Sequence, residues 1–459
     1  MMRLSHHFWA TLLIAAACWA PAAAQQQAAV PPVQAITGAG QQQPSDVPEL
    51  KTRDVISPDT HPVSGAEQLT LGTSAETRNQ LVPTFHFTQY FDSNPSVQPG
   101  SGTNFDGVST MGGSLALRRT SGLNSFILSY TGDGVIYNNP TGDMQQSTMF
   151  HSLQASQAFN FGRWTLTAAD SFSYSPEAAG GYLGGFGGIE SPLGFAQNYV
   201  PNQSVLTPQG SRYSNSSMGQ VEYHLSRRSS ITATGSYAIM RFSESSLFSG
   251  QQIVAGAGYN YSLSALTSVA VSYSYSRFGF ESSTPVSANS FNLHYARRLP
   301  GRTMLHLSAG PQFVTADGLG RTIVSYFVSA DAARQLGRTS LTAGYTHSTT
   351  GGAGVLLGAE SDLVHVGLGW SFRRAWSLGA STGFARNATL FGGSQSYRSG
   401  SAGVQLSRSL GPTAAVYCSY SFERQLSALS CGSGPCAGGL SRHAVGFGFQ
   451  WNIHPIRLD

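Results

Sequence analysis

Charge is the scarcest property of this 459-residue chain: Asp, Glu, Lys and Arg together make up 10% of it, against about 25% in an ordinary soluble domain. Lysine is almost missing, with Lys51 alone beside 25 arginines. A net charge of +4 over so long a chain is too diffuse for a nucleic-acid footprint, which needs a dense basic face. Long apolar runs are lacking as well. Outside the N-terminus nothing approaches the roughly 18 consecutive apolar residues of a membrane-spanning helix, and the mean hydropathy is −0.11. What the chain does hold is 53 glycines, 19 tyrosines and 41% hydrophobic residues. A transmembrane β-barrel has this composition, because an apolar lipid face and a small, polar lumen face alternate residue by residue.

The first 24 residues read as a secretory signal peptide. Arg3 supplies the basic start, Phe8 to Ala17 the short apolar stretch, and Ala22-Ala23-Ala24 the small-residue cleavage site before Gln25. Residues 25–80 are biased toward Gln, Pro, Ala and Ser, as in Gln41-Gln42-Gln43-Pro44. With no sustained apolar period they are expected to form a disordered periplasmic arm, with room for a short helical or plug-like piece around Ala66 to Asn79.

From Leu81 the pattern becomes alternation. Phe85, Phe87 and Phe91 share a face, with Thr84, His86 and Thr88 between them; Val364, Val366, Leu368, Trp370 and Phe372 interleave with Leu363, His365, Gly367, Gly369 and Ser371. Each stretch reads as a strand with one apolar and one polar face. Tight turns, most of them bearing arginine, recur at 118–122, 161–163, 226–228, 264–266, 297–302, 334–338, 373–375 and 408–411, and looser connections separate them. Eight tight turns and nine looser loops give 18 strands over residues 81–452, with 16 as the alternative count, followed by a short tail at 453–459. The fold class is therefore an all-β, antiparallel up-and-down transmembrane barrel, with short turns facing the periplasm and longer loops outside.

Aromatic placement agrees with two membrane interfaces. Trp164, Trp370, Trp376 and Trp451 lie near tight turns or the end of the last strand, whereas Tyr90, Tyr130, Tyr174, Tyr275, Tyr345 and Tyr420 lie toward the far strand ends. Such rings prefer the headgroup level, so all ten are expected in two girdles. Arginines at the turns are placed to snorkel to lipid headgroups. Asp170 falls on the expected lipid face and is read as the mark of a bulge. Cys418, also outward, reads as a small hydrophobe. Cys431 and Cys436 close a six-residue Cys-Gly-Ser-Gly-Pro-Cys loop. A bridge there would contribute about 2 kcal/mol, whereas zinc, which needs four ligands, is not expected.

At this point residues 81–451 resemble the bacterial outer-membrane β-barrel superfamily, and most closely its porin-like members of 16 to 18 strands. Gly446, Phe449 and Trp451 are similar to the terminal signal that such proteins present to the barrel-assembly machinery. The resemblance implies a Gram-negative-type outer membrane, lipid as the surrounding partner, a third external loop folded into the lumen, and small hydrophilic solutes as cargo; a homo-oligomer is left open. The third looser connection, 176–210, is the longest and carries Glu177 and Glu190 as its only charges, with Tyr182 and Tyr199 among its rigid rings. These four are expected at the constriction, where the carboxylates would give a weak cation preference. His294, His306, His365 and Glu222 are expected as scattered inward groups on a wall of Ser, Thr, Gly, Asn and Gln.

Catalysis is not expected. No Gly-x-Ser-x-Gly elbow or His-Glu-x-x-His helix occurs, no nucleophile, base and orienter can be named, and neither metal nor cofactor is called for. The expected function is passive diffusion of small hydrophilic solutes; the alternative is a closed structural or binding barrel whose arm contacts envelope partners. A TonB-dependent transporter would need 22 strands and a folded plug larger than this arm.

Overall fold

The computed structural model describes residues 55–58, 69–72, 79–94, 105–138, 147–175, 211–243, 247–281, 283–317, 320–351, 356–373, 375–391, 396–427 and 439–458. Two short strands, β1 (Val55–Pro58) and β2 (Leu69–Gly72), pair antiparallel with each other. The segment considered for a short helix thus holds a strand, in keeping with the alternation of Leu69, Thr70 and Leu71. Then come β3 (Gln80–Asp92), β4 (Asp106–Ser121), β5 (Asn124–Tyr137), β6 (Ser147–Phe161), β7 (Trp164–Ser175), β8 (Arg212–His224), β9 (Ser229–Phe242), β10 (Gly250–Ser264) and β11 (Thr267–Phe280). The second half comprises β12 (Ser283–Leu299), β13 (Thr303–Ala316), β14 (Arg321–Leu336), β15 (Thr339–Thr350), β16 (Ala359–Arg373), β17 (Trp376–Thr389), β18 (Ser396–Ser409), β19 (Ala414–Ser427), β20 (Leu440–Asn452) and β21 (Ile456–Arg457).

Each of the 18 strands β3 to β20 pairs antiparallel with its sequence neighbours, and β20 pairs with β3, so the sheet closes on itself. All eight tight turns fall at one end, as the arginine-bearing segments indicated.

The wall is polar inside and apolar outside. On β9, Ile231 and Tyr237 are 45% and 43% exposed, while Thr232, Thr234 and Ser236 between them are 8% exposed or less. Water would favour the reverse arrangement; hydrocarbon around the barrel favours this one, and a closed ring leaves no strand edge unpaired in lipid.

The closing seam is built from interlocking side chains. Tyr90 on β3 lies over Gly446 on β20, where an added methyl would meet the ring at 2.6 Å and Ser419 Oγ at 2.7 Å. One pleat lower, Tyr417 from β19 lies over Gly448, and its hydroxyl pairs with that of Thr88 on β3. Higher up, Arg442 donates from Nε and Nη2 to Asp92 Oδ2 at 2.8 and 2.6 Å, with both side chains fully buried. Tyr90 is therefore not a girdle residue. It has the parity of Thr88 and Asp92, so it faces inward and is 0% exposed, clustered with Val108, Val135 and Tyr137.

Past Asn452 the chain does not end as a free tail. His454 and Pro455 interrupt the ladder, and Ile456 and Arg457 resume it against Leu81 and Gln80 of β3.

Candidate solute pathway and its constriction

The hydrogen-bond ladder between β14 and β15 stops at the Val328–His347 pair. Above that point β14 stays on the wall, paired with β13 up to Arg321 and Ala316, while β15 runs on to Thr350 with β16 still paired to it. The β15–β16 hairpin therefore parts from β14 on that side, while β16 stays paired with β17 up to Ala359 and Thr389. Its destination follows from its contacts. Thr349 Oγ1 donates to Gln312 Oε1 on β13 at 2.8 Å, and Ser325 Oγ on β14 donates to Glu360 Oε1 at 2.7 Å. Gln312 and Ser325 are both inward-facing, so the hairpin crosses the inner side of β14.

Apolar packing seats it there. Phe278, Val286, Ala288 and Val314, inward positions near the looser-loop ends of β11, β12 and β13, form a buried cluster with Ile323, Leu390 and Phe391 against it. Gly358 of the hairpin approaches Val286 and Leu390, Gly351 approaches Phe278, and Leu356 is 1% exposed. The upper end of β15 and β16 is thus held against the inner side of β13 and β14 by two side-chain hydrogen bonds and an apolar contact.

Below it the inner wall carries a polar belt. His294 has a serine hydroxyl at each ring nitrogen, Ser272 Oγ at 2.8 Å and Ser308 Oγ at 2.7 Å, and stacks with His306 at a centroid distance of 6.1 Å. His306, Asp331, Gly344 and His365 stand in register on β13 to β16. Gly344 leaves a gap into which Asp331 Oδ1 and His365 Nε2 both lean, 2.5 and 2.8 Å from where a methyl would sit. Ser329 Oγ donates to Asp331 Oδ2 at 2.8 Å. Two of the histidines expected to be scattered, His306 and His365, thus flank one carboxylate, and the third, His294, stacks on His306 one strand further on. Glu222 stands apart on β8, beside His224 at 3.9 Å. No cluster among the described residues is arranged to hold a metal ion.

Glu177, Tyr182, Glu190 and Tyr199 lie outside the described residues, as do Cys431 and Cys436. Trp164, Trp370 and Trp451 are 43–48% exposed on the outer wall, and Trp376 carries the Arg408 guanidinium 5.3 Å from its ring centre. Tyr130 and Tyr174 flank His151 on the outside, with Tyr130 Oη 3.0 Å from its Nδ1. Asp170 marks no bulge: the ladder runs through it without a shift. Its carboxylate is instead satisfied locally, by Asn215 Nδ2 at 3.0 Å and Ser217 Oγ at 2.5 Å on β8.

Sequence reasoning missed the folded-in hairpin and Asp331. The available signal was the apolar run Val355-Leu356-Leu357 inside a connection otherwise made of glycine and alanine, since apolar residues in a loop need something to pack against.

A closed antiparallel barrel of 18 strands, apolar outside and polar inside, has the architecture of a membrane-spanning β-barrel. No family model and no curated protein matches the chain. Among solved structures it is similar to the outer-membrane protein OpdK from Pseudomonas aeruginosa, at 12% identity over 81% of this chain and 99% of that one, with a TM-score of 0.43. It is also similar to a BenF-like porin from Pseudomonas fluorescens Pf-5, at 10% identity over 82% and 98%, TM-score 0.43. A third is Pseudomonas aeruginosa OccK2 (OpdF) in complex with glucuronate, at 10% identity over 82% and 98%, TM-score 0.43.

Proposed function

We propose that the protein is a channel through which small hydrophilic solutes cross the outer membrane by passive diffusion. The observation that supports this most directly is the polar inner wall of an 18-stranded ring, a size that encloses water unless something fills it, narrowed at one side of its mouth by the β15–β16 hairpin. Residues 176–210, with Glu177, Glu190, Tyr182 and Tyr199, form the second part of the constriction in this reading. Purified protein in planar bilayers is expected to give stable conductance steps. Leu356→Asp, which puts a charge into the apolar seat of the hairpin, is expected to enlarge them, and removal of 176–210 to enlarge them further. Silence of the intact protein and of both variants would end the channel reading.

A second reading, a closed structural or binding barrel, is favoured by Tyr90, Val108, Val135 and Tyr137, four inward side chains no more than 2% exposed on a wall that a wide aqueous pore would wet. Deleting residues 25–80 separates the two: a binding barrel loses its envelope partners, a channel keeps its conductance. In either case the aromatic girdle anchors the wall in lipid, and Gly446, Phe449 and Trp451 present the chain to the assembly machinery. Truncation before Phe449 is expected to abolish insertion.

A further inference from the structure

Arginines on the outer wall near the looser-loop end are arranged in two ways. Arg241 pairs with Glu281, and Arg277 Nη2 lies 3.3 Å from Asp317 Oδ2, one carboxylate for each guanidinium. On β17 to β19 the count is different. Arg386 and Arg398 stand directly opposite each other in the ladder, and Arg424 faces Gly400, two residues along β18 from Arg398. All three are exposed and share the outward parity of Phe384, Val404 and Tyr420. One carboxylate answers the group: Asp362 Oδ2 accepts from Arg386 at 3.2 Å. Among the described residues no ion pair reaches Arg398 or Arg424.

Like charges directly opposite in a sheet repel and destabilise the pair, so this placement needs an anion from elsewhere. Its level names the anion. Each arginine sits two or three residues from the looser-loop end of its strand, beyond Tyr420 and Phe422 on β19, which lie at the edge of the apolar band. That is headgroup height in the outward leaflet. Gly400 adds a notch beside Arg398 and Arg424: a methyl there would touch nothing nearer than the Gly383 carbonyl at 3.9 Å, and Phe384, 46% exposed, stands next to it in register. Cations above, a backbone recess between them and an aromatic ring alongside suit a molecule with phosphates at one end and acyl chains at the other.

We propose that Arg386, Arg398 and Arg424 form a binding site for the phosphorylated saccharolipid headgroup of the outer leaflet, with its phosphates on the guanidinium groups and its acyl chains along Phe384 and Phe422. Arginine is suited to this by its planar fork of donors, which matches phosphate oxygens two at a time.

The test uses full-length protein in detergent micelles, titrated with bisphosphorylated lipid A and followed by native mass spectrometry. Arg398→Gln with Arg424→Gln is expected to weaken binding roughly tenfold or more, at about one surface-charge interaction per arginine. Arg119→Gln with Arg163→Gln, at the opposite end, is expected to leave it unchanged. Heat-dependent gel mobility verifies that both variants are closed barrels. Dephosphorylated lipid A should bind as weakly as the double variant, and millimolar inorganic phosphate should not displace the lipid. Equal affinity of wild type and the first variant, an equal loss in the second, undiminished binding of dephosphorylated lipid, or displacement by free phosphate would each overturn the proposal.

Discussion

The ring of Tyr90, on the first barrel strand, rests on Gly446 of the last. The contact spans the seam at which the sheet must find its own beginning, and the glycine is what makes room: any side chain at 446 meets the ring and Ser419 Oγ. Gly446→Val is therefore expected to destabilise the closed barrel by about 1–3 kcal/mol, the usual penalty of overpacking. Tyr90→Ala in the same chain should recover part of the loss. The urea midpoint of the heat-shiftable band in lipid vesicles measures both.

Arg442 and Asp92 lock the same seam higher up. A buried pair broken from one side leaves a charge with no compensation, which costs about 3–5 kcal/mol. Arg442→Leu and Asp92→Leu are each expected to lower the unfolding midpoint markedly, and the two together to lower it less than either alone. A double-mutant cycle with coupling near zero would contradict this.

The outward carboxylate of Asp170 works against a wall that otherwise faces lipid with apolar groups. Replacing Asp170, Asn215 and Ser217 together by Leu, Leu and Ala is expected to stabilise the barrel by about 1 kcal/mol, because carboxylates on a lipid face are unfavourable though less so than arginine or lysine. Asp170→Leu alone should gain little, since Asn215 Nδ2 and Ser217 Oγ lose their acceptor.

The position of the hairpin is open to a direct chemical check. In a background lacking Cys418, Cys431 and Cys436, Thr349→Cys and Gln312→Cys should be joined by a short bis-thiol reagent in folded protein, visible as altered gel mobility after boiling. Conductance should be unaffected by the link, because it holds the segment where it already sits. Failure to cross-link would place the hairpin on the wall.

Asp331 is a lumen carboxylate within the histidine belt. Asp331→Asn is expected to reduce the preference for cations over anions, by roughly twofold if this is one of few charges along the path. Reversal potentials under a salt gradient give the ratio before and after.

The ring itself was legible because both of its signals are local. The alternation from Val364 to Phe372 and the arginine-bearing turns follow directly from a two-residue period and an aqueous end. The departure of β15 was not, because Thr346, Ser348, Thr349 and Ser361 are the same small polar residues that line the wall; where they go is set by Gln312, Ser325 and Phe278, far away in sequence. Tyr90 shows the opposite error. Its residue type suggested an interface, but parity with Thr88 and Asp92 decides its face, and that parity was readable in the same strand. Asp170 was placed on the correct face but misread as a bulge, because its hydrogen-bond partners Asn215 and Ser217 lie on the next strand.

Beyond Asn452 the chain turns through Pro455 and lays Ile456 and Arg457 along the start of β3. Those last residues act as a hem. Without them the opening stretch of β3 would present a raw backbone border at the tight-turn rim, the kind of margin onto which a strand from another molecule can add. Molecules shortened at Asn452 would thus differ from the full chain less in whether their barrels close than in whether neighbouring barrels remain strangers to one another.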